Sequence, residues 1–208
     1  MSAAREEVLG RIRRALDGAG PPPQPPTLEA PPPAEASAVV ARFVEQVRET
    51  GATVLEPGRA VDGVDEALAL HGAARVVVPA DLDPALRPTR VGGGVIVDDD
   101  LRPHELDALD GAVTTCASAC ADTGTIAFDG GPGQGRRAVT LVPDLHVCVV
   151  RGEQVVATVP ELIARLEPSA RAGRPLVLVS GPSATSDIGF ERVEGVHGPR
   201  RLVVVLVR

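Results

Sequence analysis

The run Leu202-Val203-Val204-Val205-Leu206-Val207 limits most what this 208-residue chain can become. Branching at Cβ restricts χ1, so a valine-rich run forms a strand more readily than a helix. The run does not alternate with polar residues, so both of its faces need apolar cover. That is the mark of a central strand in a parallel sheet. It is far too short to span a membrane, and no other apolar run in the chain approaches that length. Other candidate strands fall at 52–55, 75–78, 94–97, 111–116, 125–128, 146–150 and 175–180. Helical patterns stand between them. Val39, Val40, Phe43, Val44 and Val47 form a stripe ended by Gly51, and 61–71 is closed by Gly72. Two more helices are predicted at 103–109 and 158–166, with a short helical turn at 118–121 and a loop over 81–91. Residues 138–142 read equally as strand or helical turn. Short strands alternating with helices predict an α/β domain over 35–208, a mostly parallel open sheet with flanking helices. Ligands in such sheets gather beyond the carboxyl ends of the strands.

Ahead of this domain, 2–17 is patterned as an amphipathic helix with Val8, Leu9, Ile12 and Leu16 on one face. Residues 18–34 form a linker with eight prolines between Pro21 and Pro33, an extended spacer that leaves helix 1–17 tethered. The charged N-terminus lacks the apolar core of a secretory signal, so a reduced, cytoplasmic setting is expected. Cys116, Cys120 and Cys148 are one short of the four thiolates that hold an iron–sulfur cluster, and they read as buried thiols. With a net charge of −7 and 1% aromatic residues, the chain has neither the cationic face nor the stacking platforms of a nucleic-acid binder.

Polar residues packed among buried strands need partners or a ligand. Two polar segments stand out. In the first, Asp122-Thr123-Gly124-Thr125 offers a carboxylate, two hydroxyls and a glycine that lets backbone N–H groups approach a ligand; it also fits a self-satisfied turn. After it, Gly130–Arg137 has the glycine spacing of a phosphate loop without its Lys and Ser/Thr. It is either a surface loop or a lid whose Arg136 and Arg137 reach an anion. The second segment holds Ser183, Thr185 and Asp187, then His197 and Gly198. Ser183, Thr185 and Asp187 suit helix caps or ligand hydrogen bonds. No nucleophile elbow is present, because Thr185 stands where that motif needs glycine. His146 and His197 are the histidines nearest these segments, each a structural group or an acid/base candidate. Asp98-Asp99-Asp100 reads as a solvated loop.

Together these segments resemble the lactate-utilization protein C family, the LUD domain, over roughly residues 35–208. The family shows Ala-Glu-Thr-Gly-Thr, Gly-Arg-Arg, a Leu-Pro-x-x-His strand entry, Gly-Pro-Ser-x-Thr-x-Asp-Ile and Gly-Val-His-Gly-Pro. The counterparts here are residues 121–125, Gly135-Arg136-Arg137, 141–146, 181–188 and 195–199. Asp122 replaces the usual Glu, Ala184 a common Arg and Gly189 a common Glu. The resemblance implies a fold like the ribose-5-phosphate isomerase, glucosamine-phosphate deaminase and CoA-transferase group. It also implies an accessory subunit that oxidises L-lactate to pyruvate beside iron–sulfur partner subunits and binds a small anionic ligand. No cofactor is expected on this chain, which has no cluster ligands, nicotinamide fingerprint or flavin motif. In that reading Asp122 and His197 are the catalytic candidates. Thr123, Gly124, Thr125, Arg136, Arg137, His146, Ser183, Thr185, Asp187 and Gly198 are the ligand-binding ones. The alternative is a stand-alone enzyme or binding protein for a phosphorylated sugar, CoA ester or nucleotide, with Asp122 as its functional carboxylate.

Overall fold

The computed structural model describes residues 3–18, 20, 35–185 and 193–208. The chain divides into two units, Met1–Pro33 and Ala34–Arg208. The proline-rich stretch 21–34, Asp187 and Gly189 lie outside the described residues. In the first unit Ala3–Leu16 is helix α1, which carries a Glu7–Arg11 ion pair of 2.7 Å one turn apart.

The second unit opens with α2 (Ala36–Glu49), whose Val40, Phe43, Val44 and Val47 are buried at helical spacing. The Thr50 hydroxyl donates to the Val47 carbonyl and Gly51 turns the chain at φ +89°. Then come β1 (Thr53–Leu55), α3 (Ala60–Leu70), β2 (Arg75–Val78), β3 (Gly94–Val97) and α4 (Pro103–Asp107). They are followed by β4 (Gly111–Thr115), β5 (Ser118–Cys120), β6 (Thr125–Phe128), α5 (Arg137–Leu141) and β7 (Leu145–Arg151). The chain ends with β8 (Val155–Val156), α6 (Val159–Arg171), β9 (Val177–Val179), β10 (Ala184–Thr185), β11 (Val193–Glu194) and β12 (Arg201–Val207).

Among the described residues the main sheet has the order β1-β12-β7-β4-β2-β3, with every pairing parallel. It is open, with β1 and β3 at its edges. Strand β12 lies between β1 and β7, and its residues Leu202 to Leu206 are buried on both faces. Val203 and Val205 pack with Val64 and Leu68 of α3. Leu202, Val204 and Leu206 pack with α2 and with Ile126 and Phe128 of a second sheet, β8-β5-β6-β9. Outside that sheet, Leu162 and Leu166 of α6 cover Cys120, Ala127 and Val156. The order of layers is therefore helix, sheet, sheet, helix. Leu106 and Val139 of α4 and α5 close the main sheet beyond β4. No helix among the described residues is long and apolar enough to cross a membrane.

The α/β architecture with a mostly parallel open sheet is the one expected, but two elements differ and one open alternative is decided. Residues 118–120 form strand β5, where a helical turn over 118–121 was expected. Ala119 faces the inner core and Cys120 faces α6, an alternation only a strand provides. Residues 137–141 resolve as helix. Helix α6 runs five residues past the expected end at Leu166, through Pro168, because Ser169 is buried and donates a hydrogen bond to Asp129. That tertiary contact outweighs the local preference against helix before proline.

Truncating the doubly covered strand tests this arrangement. Leu206→Ala at a 1% exposed site is expected to cost about 2–5 kcal/mol in urea unfolding, whereas Leu176→Ala, 38% exposed, costs under about 1 kcal/mol. Equal losses would mean that β12 is not the buried centre.

Candidate functional site

The polar motifs fold into three separate places. The first surrounds Asp122. Its carboxylate pairs with Arg42 of α2 at 3.1 Å, and its backbone N–H donates to the Ala157 carbonyl. Gly124 has φ +60°, and a Cβ there would come within 2.8 Å of the backbone of Gln46 and Val47. A Cβ on Gly181, at φ +95°, would likewise come 2.6 Å from the Thr50 Cβ. Both motif glycines thus seat the second sheet against α2. From there a chain of hydroxyls runs inward, Thr123 to Thr125 at 2.7 Å and Thr125 to Ser180 at 2.7 Å. It links the two polar segments, which the pairing of β6 with β9 brings side by side.

The second place is a groove formed by two adjoining cavities of about 360 and 330 Å³ that share Arg137 and Val177. Its polar edge carries Arg137, Thr140, Gln134, Ser183 and His197; Leu141, Val177, Val179 and Pro199 supply the apolar wall. Ser183 organises one end. Its hydroxyl accepts the His197 N–H at 3.0 Å, its N–H donates to the Pro199 carbonyl, and its carbonyl accepts the Gly195 N–H. No described residue takes the hydroxyl hydrogen. A Cβ on Gly198 would lie 3.6 Å from Leu141 and 3.7 Å from Ser183. Arg137 is exposed and has no carboxylate partner among the described residues. Its neighbour Arg136 is committed elsewhere, forking onto both oxygens of Asp98 at 2.7 and 2.9 Å and onto the Leu101 carbonyl. Asp98 is accordingly enclosed, not the solvated residue expected, and the pairing holds the Arg136 guanidinium above its ordinary pKa. The glycine loop is likewise packed down. Gln134 is buried and exchanges two hydrogen bonds with Asp129, each 2.9 Å. Burial alone raises the Asp129 pKa, but donors from Ser169, Gln134 and Gly131, with the Arg174 charge, hold it below the usual carboxylate range.

The third place is inside the core. His146 is 1% exposed at the amino end of β7; its Nε2 lies 2.8 Å from the Thr114 hydroxyl, and its ring stands 5.4 Å from that of Phe128. Thr114 also reaches the Thr115 carbonyl at 3.0 Å, so both contacts are satisfied when Nε2 carries the hydrogen. Burial pushes the His146 pKa down to about 4. Cys116, Cys120 and Cys148 are buried free thiols, and burial pushes the Cys148 thiol up.

Of the residues singled out in the sequence, Arg137, Ser183, His197 and Gly198 share the groove, and Thr123 and Thr125 connect to its margin through Ser180. Arg136 also lines the groove but is held by Asp98, and Asp122 and His146 stand apart from it. Thr185 is placed by its β10 backbone alone, paired with Val193, and Asp187 lies outside the described residues. Gln134, Thr140 and Leu141 were missed. Gln134 stood in plain view within the glycine loop, but only its burial distinguishes it. The His197 segment also departs from expectation in its position. It enters β12, so it lies at the amino end of the main sheet and not beyond the carboxyl ends.

The LUD domain family model matches residues 40–207. A protein named lactate utilization protein C from Deinococcus radiodurans is 44% identical over 205 residues, 98% of this chain and 95% of its own length. Another of that name, from Shouchella clausii, is 25% identical over 74% of this chain and 71% of its own. A crystal structure of a DUF162 family protein from Deinococcus radiodurans superposes with a TM-score of 0.70 at 37% identity, covering 85% of this chain and all of that one.

The buried histidine makes a pH prediction. Its folded pKa is depressed below the ordinary imidazole value of 6.5, so the unfolded chain takes up a proton that the folded one refuses. Stability is full above about pH 6.5 and falls as pH drops toward about 4. Between pH 7.5 and 5 the native protein should lose about 2 kcal/mol that His146→Gln does not lose. Urea midpoints at the two pH values measure it. The other histidine with a lowered pKa, His71, is common to both proteins and cancels. Parallel losses would mean that His146 titrates freely.

Proposed function

Since the chain belongs to the LUD domain family, we propose that it serves lactate utilization as an accessory subunit, holding a small carboxylate in the groove of Arg137, Ser183 and His197. The observation that carries this reading is the convergence of those three side chains on one cleft with an apolar wall. A guanidinium and a hydroxyl hydrogen are both donors suited to a carboxylate. Leu141 and Val177 suit a short aliphatic remainder, and His197 stands where it can exchange a proton with a hydroxyl or keto oxygen. L-Lactate and pyruvate have this chemistry. The near relatives named lactate utilization protein C point to the same class of substrate.

Oxidising lactate to pyruvate releases two electrons and two protons. With three cysteines, all buried, the chain is one thiolate short of a four-cysteine cluster. The electrons therefore pass, in this reading, to iron–sulfur subunits that bind this one in a reduced, cytoplasmic setting. The ion pair with Arg42 gives Asp122 a structural task and leaves the alternative built on that carboxylate without support from the groove.

The test is calorimetric titration of the purified chain with L-lactate and pyruvate. Arg137→Gln is expected to weaken binding by about 10–100-fold, the worth of one charge-assisted hydrogen bond. Asp122→Asn should leave affinity within about twofold. Binding that survives Arg137→Gln, or no binding of either acid, would overturn the site. A tagged chain recovered from lactate-grown cells without any iron-containing partner would overturn the subunit role.

A further inference from the structure

We propose a second ligand site in this chain, for a phosphoryl group, in the crevice beyond the carboxyl ends of β4 and β7. It shares no arginine with the groove of Arg137 and does not rest on that reading. The cavity is about 310 Å³ and opens past Thr115, the last residue of β4, and Arg151, the last of β7. That end of neighbouring parallel strands is where open α/β sheets receive ligands.

Three arginines from different elements line it: Arg151 from β7, Arg165 from α6 and Arg174 from the turn after α6. The lining holds one carboxylate, Asp129, which pairs with Arg174 at 2.9 Å. Arg165 gives one N–H to the Glu153 carbonyl. Neither Arg151 nor Arg165 has a carboxylate within 4.0 Å among the described residues, so the crevice carries two uncompensated positive charges in a chain whose net charge is −7.

Most polar groups of the rest of the wall already have partners, and this narrows the ligand class. The Thr115 hydroxyl donates to the Pro132 carbonyl at 2.9 Å and the Ser118 hydroxyl to the Gln154 carbonyl at 2.8 Å. Gln154 accepts from the Arg151 N–H at 2.8 Å and donates to the Cys116 carbonyl at 2.7 Å. Asp129 is filled by Gln134, Ser169, Gly131 and Arg174. The charged donors that remain for a ligand are guanidinium N–H groups, whose forks match an oxyanion with several acceptor atoms. Two surplus charges match a phosphate monoester, which carries about −1.5 to −2 at pH 7, better than a monocarboxylate. The wall is held rigid by its own hydrogen bonds, so little ordering is needed when the anion enters.

The experiment titrates the full chain by calorimetry at constant ionic strength with inorganic phosphate, methyl phosphate and acetate. The first two probes distinguish free phosphate from an esterified phosphoryl group; acetate is the monocarboxylate control. Saturable binding of either phosphate is expected, weakened at least about 10-fold by Arg151→Gln and by Arg165→Gln and changed by less than about twofold in Arg137→Gln. Both variants alter partly or fully exposed side chains, and unchanged thermal unfolding confirms that they remain folded. The site is overturned by no saturable phosphate binding up to about 10 mM, or by affinity that falls with Arg137→Gln and not with the other two. Acetate binding as tightly as methyl phosphate would overturn the phosphoryl assignment.

Discussion

Leu202, Val204 and Leu206 point to one side of the main sheet and Val203 and Val205 to the other, and all five are sealed from water. A strand of this kind cannot be stable with one face wet, since each exposed aliphatic side chain forfeits about 1.5–3 kcal/mol of burial. One helix layer suffices on the α3 side. On the opposite side α2 covers part of the sheet, and the small second sheet covers the rest, with α6 outside it in turn. The motif glycines belong to this packing. Gly124 and Gly181 let the second sheet approach α2 to a distance that any side chain would block.

Putting a sheet on a sheet also encloses polar groups, and the structure satisfies them locally. Asp129 is the clearest case: a buried carboxylate with donors from a loop, a helix and a distant arginine, tying the glycine loop to the end of α6. The hydroxyls of Thr123, Thr125 and Ser180 serve the seam between β6 and β9. His146 is kept neutral by burial with one hydroxyl partner. Because these groups are occupied with each other, few polar side chains remain free for a ligand. Those that do, among the described residues, are Arg137 with Ser183 and His197 in the groove and Arg151 with Arg165 in the crevice.

Much of the fold was legible in the amino-acid order. The apolar runs that became β2, β3, β4, β6, β7 and β12 are dictated by β-branched content, and α2 and α3 by helical spacing with a glycine stop. Residues 118–121 were misread because Ser, Ala and Cys are small and weakly committed to either state, so pairing with β6 and β8 decides them. Helix α6 was cut short because proline is a local signal and the Ser169–Asp129 contact is not. For the site, the polar motifs identified the right segments and missed their grouping. Asp122 and Arg136 look as available in sequence as Arg137 does, and only Arg42 and Asp98, distant in the chain, occupy them.

The sequence by itself determined the α/β class, the buried centre at 202–207 and the family, because hydrophobic periodicity and motif order are properties of neighbouring residues. Tertiary structure alone decided which charges are paired, which glycines serve packing, and which arginines keep free donors. Those outcomes depend on partners 30 or more residues apart, such as Arg136 with Asp98 and Asp129 with Ser169. No local pattern encodes such a distance. It is set when the two sheets close on each other and leave each polar group with whatever partner lies within hydrogen-bonding reach.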